Sequence, residues 1–138
     1  MTTLSTTNLA DLIRRKHEVL VQLCELGRRQ KEIVDRGETT MLLELLATKQ
    51  KMISVLQQVE RELAPFHAED PDARVWPESD ARARCAKQSA ECNQLLEAIV
   101  VLERDSADRM TVRRDDVAAQ LQHVYAAGQA RDAYEAQR

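Results

Sequence analysis

Glycine, proline and aromatic residues are scarce in this chain, with three Gly, three Pro and 3% aromatics among 138 residues. A sandwich or barrel needs more turn formers and more aromatic filling, so those folds are excluded. Cysteine is as rare, three residues and an odd count. Cys85 and Cys92 fall about 10 Å apart along one predicted helix and cannot bridge to each other. Such sparse thiols fit a reducing cytoplasm. No run approaches the roughly 20 apolar residues of a membrane span. The polar, Thr-rich stretch 1–8 also lacks the apolar core of a secretion signal. Charge of a single sign is missing too: 20 basic residues face 23 acidic ones, a net charge of -3. A nucleic-acid binder carries a basic patch or stripe, whereas only Arg14-Arg15-Lys16 and Arg113-Arg114 cluster here. No nucleic-acid partner and no membrane insertion are expected. The acidic surplus is confined to residues 65–80, where one basic residue faces five acidic ones.

What is abundant is Ala, Leu, Arg, Glu and Gln, the composition of long helices and coiled coils. The length makes one domain the default and suffices for a core without disulfides or metal. Thr6, Thr7 and Asn8 are good caps, and an apolar period starts directly after them. The inward face then reads Leu9, Leu12, Ile13, Lys16, Leu20, Leu23, Leu26, Gly27, Ile33 and Val34, mostly at three-four spacing. Gly27 interrupts without breaking the register. It marks either a close helix crossing or tolerated drift. Asp35-Arg36-Gly37-Glu38 supplies a stop, and Thr39 or Thr40 a cap for the next helix. A connection this short forces the two helices antiparallel. The second helix carries Met41, Leu42, Leu45, Leu46, Lys49, Met52, Ile53, Leu56, Val59 and Leu63 on one face. Pro65 predicts its end by Ala64, which makes residues 1–64 a helical hairpin.

Residues 65–78 lose all periodicity and form an acidic, Pro-containing linker. Its Phe66 and Trp76 either plug the open end of the hairpin or stand out as a docking knob. A third run follows over residues 79–138, capped by Ser79 or Asp80. Its face reads Ala81, Cys85, Gln88, Cys92, Leu95, Leu96, Ile99, Leu102, Ser106, Met110, Val117, Leu121 and Val124. Either it is continuous or it breaks near residues 105–111 into a short fourth helix; no Gly or Pro stands there to break it. The fold expected is a single all-α domain, an antiparallel helical hairpin packed against one long C-terminal helix, a three-helix, coiled-coil-like bundle. The third run spans on the order of 70 Å over residues 79–127, against about 40 Å for each hairpin helix. Its far half therefore needs another partner.

Chemistry-bearing patterns are missing. There is no Glu-x-x-His pair for a di-iron bundle, no convergent Cys/His set for zinc, and no Gly-rich phosphate loop or nucleophile elbow. His17 with Cys24, and Cys85 with Cys92, lie seven residues apart, too far to chelate one ion unaided. The cysteines read as small apolar residues. The acids read as solvated helix faces, with Glu25–Arg29 and Glu32–Arg36 at pairing distance. No metal, no cofactor and no catalytic residue is expected, and the chain is read as a binding protein, not an enzyme. Three occupants could cover the leftover stripe: a second copy in a homodimer, a foreign helix in a groove, or its own tail from Gly128 folding back. Val117, Leu121, Val124 and Tyr125, at i, i+4, i+7 and i+8, could supply anchors of the helix-in-groove kind.

The segment Asp35-Arg36-Gly37-Glu38-Thr39-Thr40-Met41-Leu42-Leu43-Glu44-Leu45-Leu46-Ala47-Thr48-Lys49-Gln50-Lys51-Met52 places a Gly-acid turn before leucines and then a lysine. This is similar to the Gly-Asp, Leu, Leu, Lys, Leu pattern of the FlgN-type flagellar export chaperones, small helical cytoplasmic proteins of bacterial flagellum biogenesis, and the whole chain resembles them. The resemblance implies a chaperone that binds hook-associated (hook-filament junction) proteins before export. It would shield their aggregation-prone helical termini and pass them to the type III secretion gate without ATP chemistry of its own. The family's client surface lies in its C-terminal helical region, which here implies Met110, Val117, Leu121, Val124 and Tyr125. A tyrosine followed by glycine near the end of family members is implicated in docking to an export-gate component. Tyr125 with Gly128 resembles it, and Tyr134 competes for that role. The acidic linker with Trp76 has no match in the family pattern. The competing expectation is a structural homo-oligomeric coiled coil with no export client.

Overall fold

The computed structural model describes residues 4–136 and is all-α, with three long helices and no strands among the described residues. Helix α1 spans Thr6–Arg36, α2 spans Thr39–His67 and α3 spans Ala81–Ala136. Ser5, one residue ahead of the expected caps, holds the start of α1 by accepting a hydrogen bond from the Asn8 backbone. Gly37 ends it in the left-handed conformation, with φ 70. The N–H groups of Gly37 and Glu38 then reach back to the Val34 and Ile33 carbonyls, at 3.1 and 3.3 Å, and close the helix end. Thr39 and Thr40 are not caps. They are the first residues inside α2, and Glu38 precedes them without a side-chain capping bond.

The end of the second helix differs from the sequence reading. Helix α2 runs through Pro65 and stops at His67, so the hairpin is longer than 1–64 and the linker covers residues 68–80. Proline in the final turn sacrifices one backbone bond. Phe66 behind it is buried in the core, a gain of about 1.5–3 kcal/mol that outweighs the loss. Arg74 then donates to the Phe66 carbonyl at 2.7 Å and to Glu69 at 2.8 Å, fastening the start of the linker to the helix end. Trp76 packs partly buried against the same cluster, so both aromatics plug the open end of the hairpin. Thr6 holds the linker on the other side by donating to the Val75 carbonyl at 2.7 Å. For α3 the structure selects among the alternatives the sequence left open. The helix is unbroken through residues 105–111 and through Gly128, which rules out the tail folding back from that glycine.

Each helix runs antiparallel to the one before it. Lys16 pairs with Glu60 at 2.7 Å and Lys49 with Gln30 at 3.0 Å, fixing α2 against α1 in opposite directions. Going the other way, His17 meets Glu91 at 3.1 Å, Lys31 meets Asp105 at 3.5 Å and Arg109 meets Asp35, so α3 runs parallel to α1. Helix α1 is the middle element. It contributes Leu9, Leu12, Ile13, Leu20 and Leu23 to a cluster that Val59, Leu63 and Phe66 of α2 complete from one side and Cys85 and Cys92 of α3 from another. Leu20 and Val59 are wholly removed from solvent. The thiols serve as small apolar groups with a weak donor: Cys92 Sγ reaches the Ile13 carbonyl at 3.9 Å and Cys24 Sγ the Leu95 carbonyl at 3.7 Å. Burial pushes all three thiols up from their ordinary value, away from reactive thiolate. Among the described residues no helix is long and apolar enough to cross a membrane. The expected pairs Glu25–Arg29 and Glu32–Arg36 do not close. Arg14 takes the i+4 partner instead, Glu18 at 3.2 Å.

The mid-helix glycine marks a close crossing. A Cβ at Gly27 would stand 3.1 Å from Leu102 Cδ1, and that glycine is buried between α1 and α3. Gly27→Leu should therefore wedge the helices apart and lower unfolding stability by about 1–3 kcal/mol in urea titration. In Gly27→Ala the helix-propensity gain of about 1 kcal/mol should be largely cancelled by the Leu102 contact.

Lys49 is the one basic side chain buried in the bundle among the described residues. It crosses from α2 to donate to Gln30 of α1 at 3.0 Å and to the Glu103 carboxylate of α3, so one ammonium ties all three helices. Burial holds it below its ordinary value of 10.5. Lys49→Met should cost about 1–3 kcal/mol by leaving the buried Gln30 oxygen without a donor, and Lys49→Met with Gln30→Leu should recover most of that loss. Between the lowered folded value and 10.5 the unfolded chain holds a proton that the folded one has released. Urea stability measured against pH should therefore show the native chain gaining on Lys49→Met as pH rises into that window, with a flat difference below it.

Candidate functional site

Helix α3 outruns the hairpin because its 56 residues span about 84 Å, whereas the 31 residues of α1 span about 46 Å. The place where α1 stops is built from polar fasteners. Arg109 forks onto both oxygens of Asp35 at 2.6 and 2.5 Å, and its Nε donates to Asp105 at 3.0 Å. The Arg109 hydrogen bond first, then the Arg109 and Lys31 charges, hold Asp105 below the usual carboxylate range. Arg113, one turn further on, lies over Gly37. A Cβ at that position would meet the far end of this flexible side chain, which can swing away, so it is the left-handed turn that calls for glycine there.

Just past these fasteners lies a groove of about 770 Å³ between the α1–α2 turn and α3. Ile33, Val34 and Leu42 form its hairpin side, and Met110 and Val117 line it from α3. Arg113, Arg114, Asp116 and His123 supply its polar lining. Glu38, at the turn, also lines it, and its Oε2 is shielded from solvent with no hydrogen-bond partner. Beyond the groove α3 continues as a projecting arm to Ala136. The arm keeps an apolar stripe in the open, with Val117 50%, Leu121 65%, Val124 70% and Tyr125 68% exposed. Ser106, Met110, Val117, Leu121 and Val124 recur at four-, seven-, four- and three-residue steps and so share one face. Ser106 is buried, so the exposed stripe continues the face that packs within the bundle.

Of the residues singled out in the sequence, Met110 and Val117 come together in the groove, while Leu121, Val124 and Tyr125 follow along the arm outside it. Tyr125 accepts a hydrogen bond from Gln129 at 2.9 Å. Tyr134 is exposed and stands nine residues from Tyr125, about 13 Å along the helix, so the two tyrosines do not form one patch. The sequence reading missed the hairpin half of the groove, Ile33, Val34, Glu38 and Leu42. The signal was present in the Gly37 stop, which fixes where α1 ends, but not in any periodicity of the arm. Among the described residues no group of three or more His, Cys, Asp or Glu side chains is placed to hold a metal ion. What the arrangement offers is a concave apolar contact, a short length of groove leading onto an amphipathic helix. Compared with family models, with curated proteins and with solved structures, the chain gives no match.

Proposed function

We propose that this protein is a non-enzymatic type III flagellar export chaperone of the FlgN type, which binds hook-associated proteins in the cytoplasm before their export. The observation that carries the reading is the arm: a continuous helix that leaves its bundle with Val117, Leu121, Val124 and Tyr125 exposed on or beside one stripe. An amphipathic client helix lays its own apolar face on such a stripe and enters the groove at Met110 and Val117. The Gly-acid turn and leucine-lysine segment at residues 35–52 support the family assignment. Tyr125, followed by Gly128, is the docking residue for an export-gate component, with Tyr134 as the other candidate. The competing reading, a structural coiled coil without a client, draws on the same exposed stripe and separates from the first by what the arm binds.

The test is co-expression with the helical terminal segments of hook-associated proteins from the same bacterium, followed by size-exclusion chromatography. A complex with the native chain is expected, and Leu121→Asp with Val124→Asp should abolish it while circular dichroism shows the helix content unchanged. Two apolar anchors lost at a binding helix correspond to about 2 kcal/mol or more each when central, enough to take a micromolar complex out of detection. Absence of any complex with the native chain would sink the chaperone reading. Undiminished binding after removal of residues 110–138 would instead move the client site off the arm.

A further inference from the structure

The walls of the groove stand on different elements, Ile33, Val34 and Leu42 on the hairpin and Met110 and Val117 on α3, so its width depends on what holds the end of α1 against α3. The close helix crossing at Gly27 and Leu102 lies about 10 Å short of Arg109 along α3. Of the polar ties between α1 and α3 among the described residues, the one furthest toward the arm belongs to Arg109. One terminal nitrogen of Arg109 donates to both oxygens of Asp35, at 2.6 and 2.5 Å, while its Nε donates to Asp105 at 3.0 Å. Lys31 reaches the same Asp105 oxygen at 3.5 Å. Lys31 and Asp35 of α1 thus interlock with Asp105 and Arg109 of α3, two cations with two carboxylates. The last tie adjoins both walls, since Asp35 follows Val34 and Arg109 precedes Met110.

Asp35 is a poor residue for local stability. It occupies the last turn of α1, where the free carbonyls carry partial negative charge and a carboxylate is disfavoured. Its side chain is half-exposed and that of Arg109 a third exposed, so the ion pair adds little to the folding free energy. What it adds is geometry. A guanidinium that grips both oxygens of one acid and turns its Nε to a second has its distance and direction fixed. A residue that works against its own helix and returns little folding energy is the mark of a functional position.

We propose that the Lys31–Asp105–Arg109–Asp35 network is a positioning clamp for the groove, holding the end of α1 at a set distance from α3 so that Ile33, Val34 and Leu42 face Met110 and Val117 at the separation a client helix requires. Asp35 and Arg109 line no part of the groove and act through the wall residues beside them. The inference rests on the client reading of the groove given above, whereas the width itself can be measured without a client. Releasing the clamp leaves the core cluster around Leu20, Val59 and Leu63 in place, so folding and groove geometry separate.

Double electron–electron resonance between nitroxides on Thr40→Cys and Ala118→Cys of the full chain reads the width. Both positions are exposed and outside the groove lining. The native cysteines are buried with their thiols pushed up, so brief labelling goes to the introduced pair. The otherwise native chain should give one narrow distance distribution and Asp35→Ala a broader one, with the urea midpoint unchanged or raised because Ala is the better residue in that turn. Affinity for a hook-associated terminal segment should fall about three- to tenfold in Asp35→Ala, the loss of a preorganised groove. Arg109→Leu should broaden the distribution and weaken binding likewise, and the double variant should be no worse than either single one, since both remove one tie. Native width in Asp35→Ala overturns the proposal. So does a loss of affinity that tracks a lowered urea midpoint, which would make Asp35 a structural residue, and so does full additivity of the two changes. If the native chain takes no such segment, the chaperone reading falls and the two distance distributions alone decide the clamp, a broader one in Asp35→Ala upholding it and equal widths overturning it.

Discussion

Helix α1 is the element that packs against both other helices, and its length therefore sets how much of α3 is covered. Its central stretch carries the most completely buried side chains, Leu20 among them, with Val59 and Leu63 of α2 and Cys92 of α3 reaching the same cluster. Burial on two sides of one helix is worth about 1.5–3 kcal/mol per large aliphatic side chain, which makes α1 the spine on which the other two are organised. Once α1 stops at Gly37, α3 loses its apolar counterpart. The arm is thus a consequence of one glycine in the left-handed conformation, which ends α1 while the apolar stripe of α3 continues through Val124 and Tyr125.

Apolar burial alone leaves the rotation and slide of three amphipathic helices loosely specified, and the polar crossings narrow that freedom. Lys49 is satisfied only where Gln30 and Glu103 both face it, and Arg109 only where Asp35 ends α1. Gly27 adds a steric condition, because a Cβ there would crowd the Leu102 side chain of α3. The exposed ion pairs contribute little energy each. Their placement matters more, since the buried ammonium tolerates no slipped register without losing a partner.

The helical period made most of this fold legible in the sequence. The core positions of α1 follow from three-four spacing, and the Gly37 stop follows from residue type. Pro65 misled because its local cost was weighed without the burial of Phe66 directly behind it, a tertiary term that no window of sequence contains. Gly128 left a folded-back tail as one of three open alternatives, and the helix continues through it because a glycine lowers helix propensity by only about 1 kcal/mol and the residues on both sides carry it. The surface pairs at Glu25 and Glu32 were a matter of spacing, and spacing does not choose between partners of similar energy. For the candidate site, the arm could be read directly because its stripe is local. The hairpin half of the groove could not, since Leu42 and Glu38 join Met110 and Val117 only after three helices are set side by side.

A helix that projects without tertiary support is marginal in isolation, because nucleation is costly and packing normally supplies its stability. The arm escapes the first difficulty. It is the continuation of a helix already nucleated and packed over its first half, so each further residue needs only propagation, and Ala, Gln, Leu and Arg propagate well. Such an arm presents its stripe with the backbone already ordered, which removes a conformational cost that a disordered segment would meet on binding. Exposed Val, Leu and Tyr on a rigid helix also attract non-specific association. Interspersed Arg, Asp and Gln beside the stripe are the kind of flanking polar groups that discriminate among partners in general. The arm therefore holds an apolar stripe in an ordered helix, an order inherited from the bundle in which that helix begins, with charged residues placed beside the stripe.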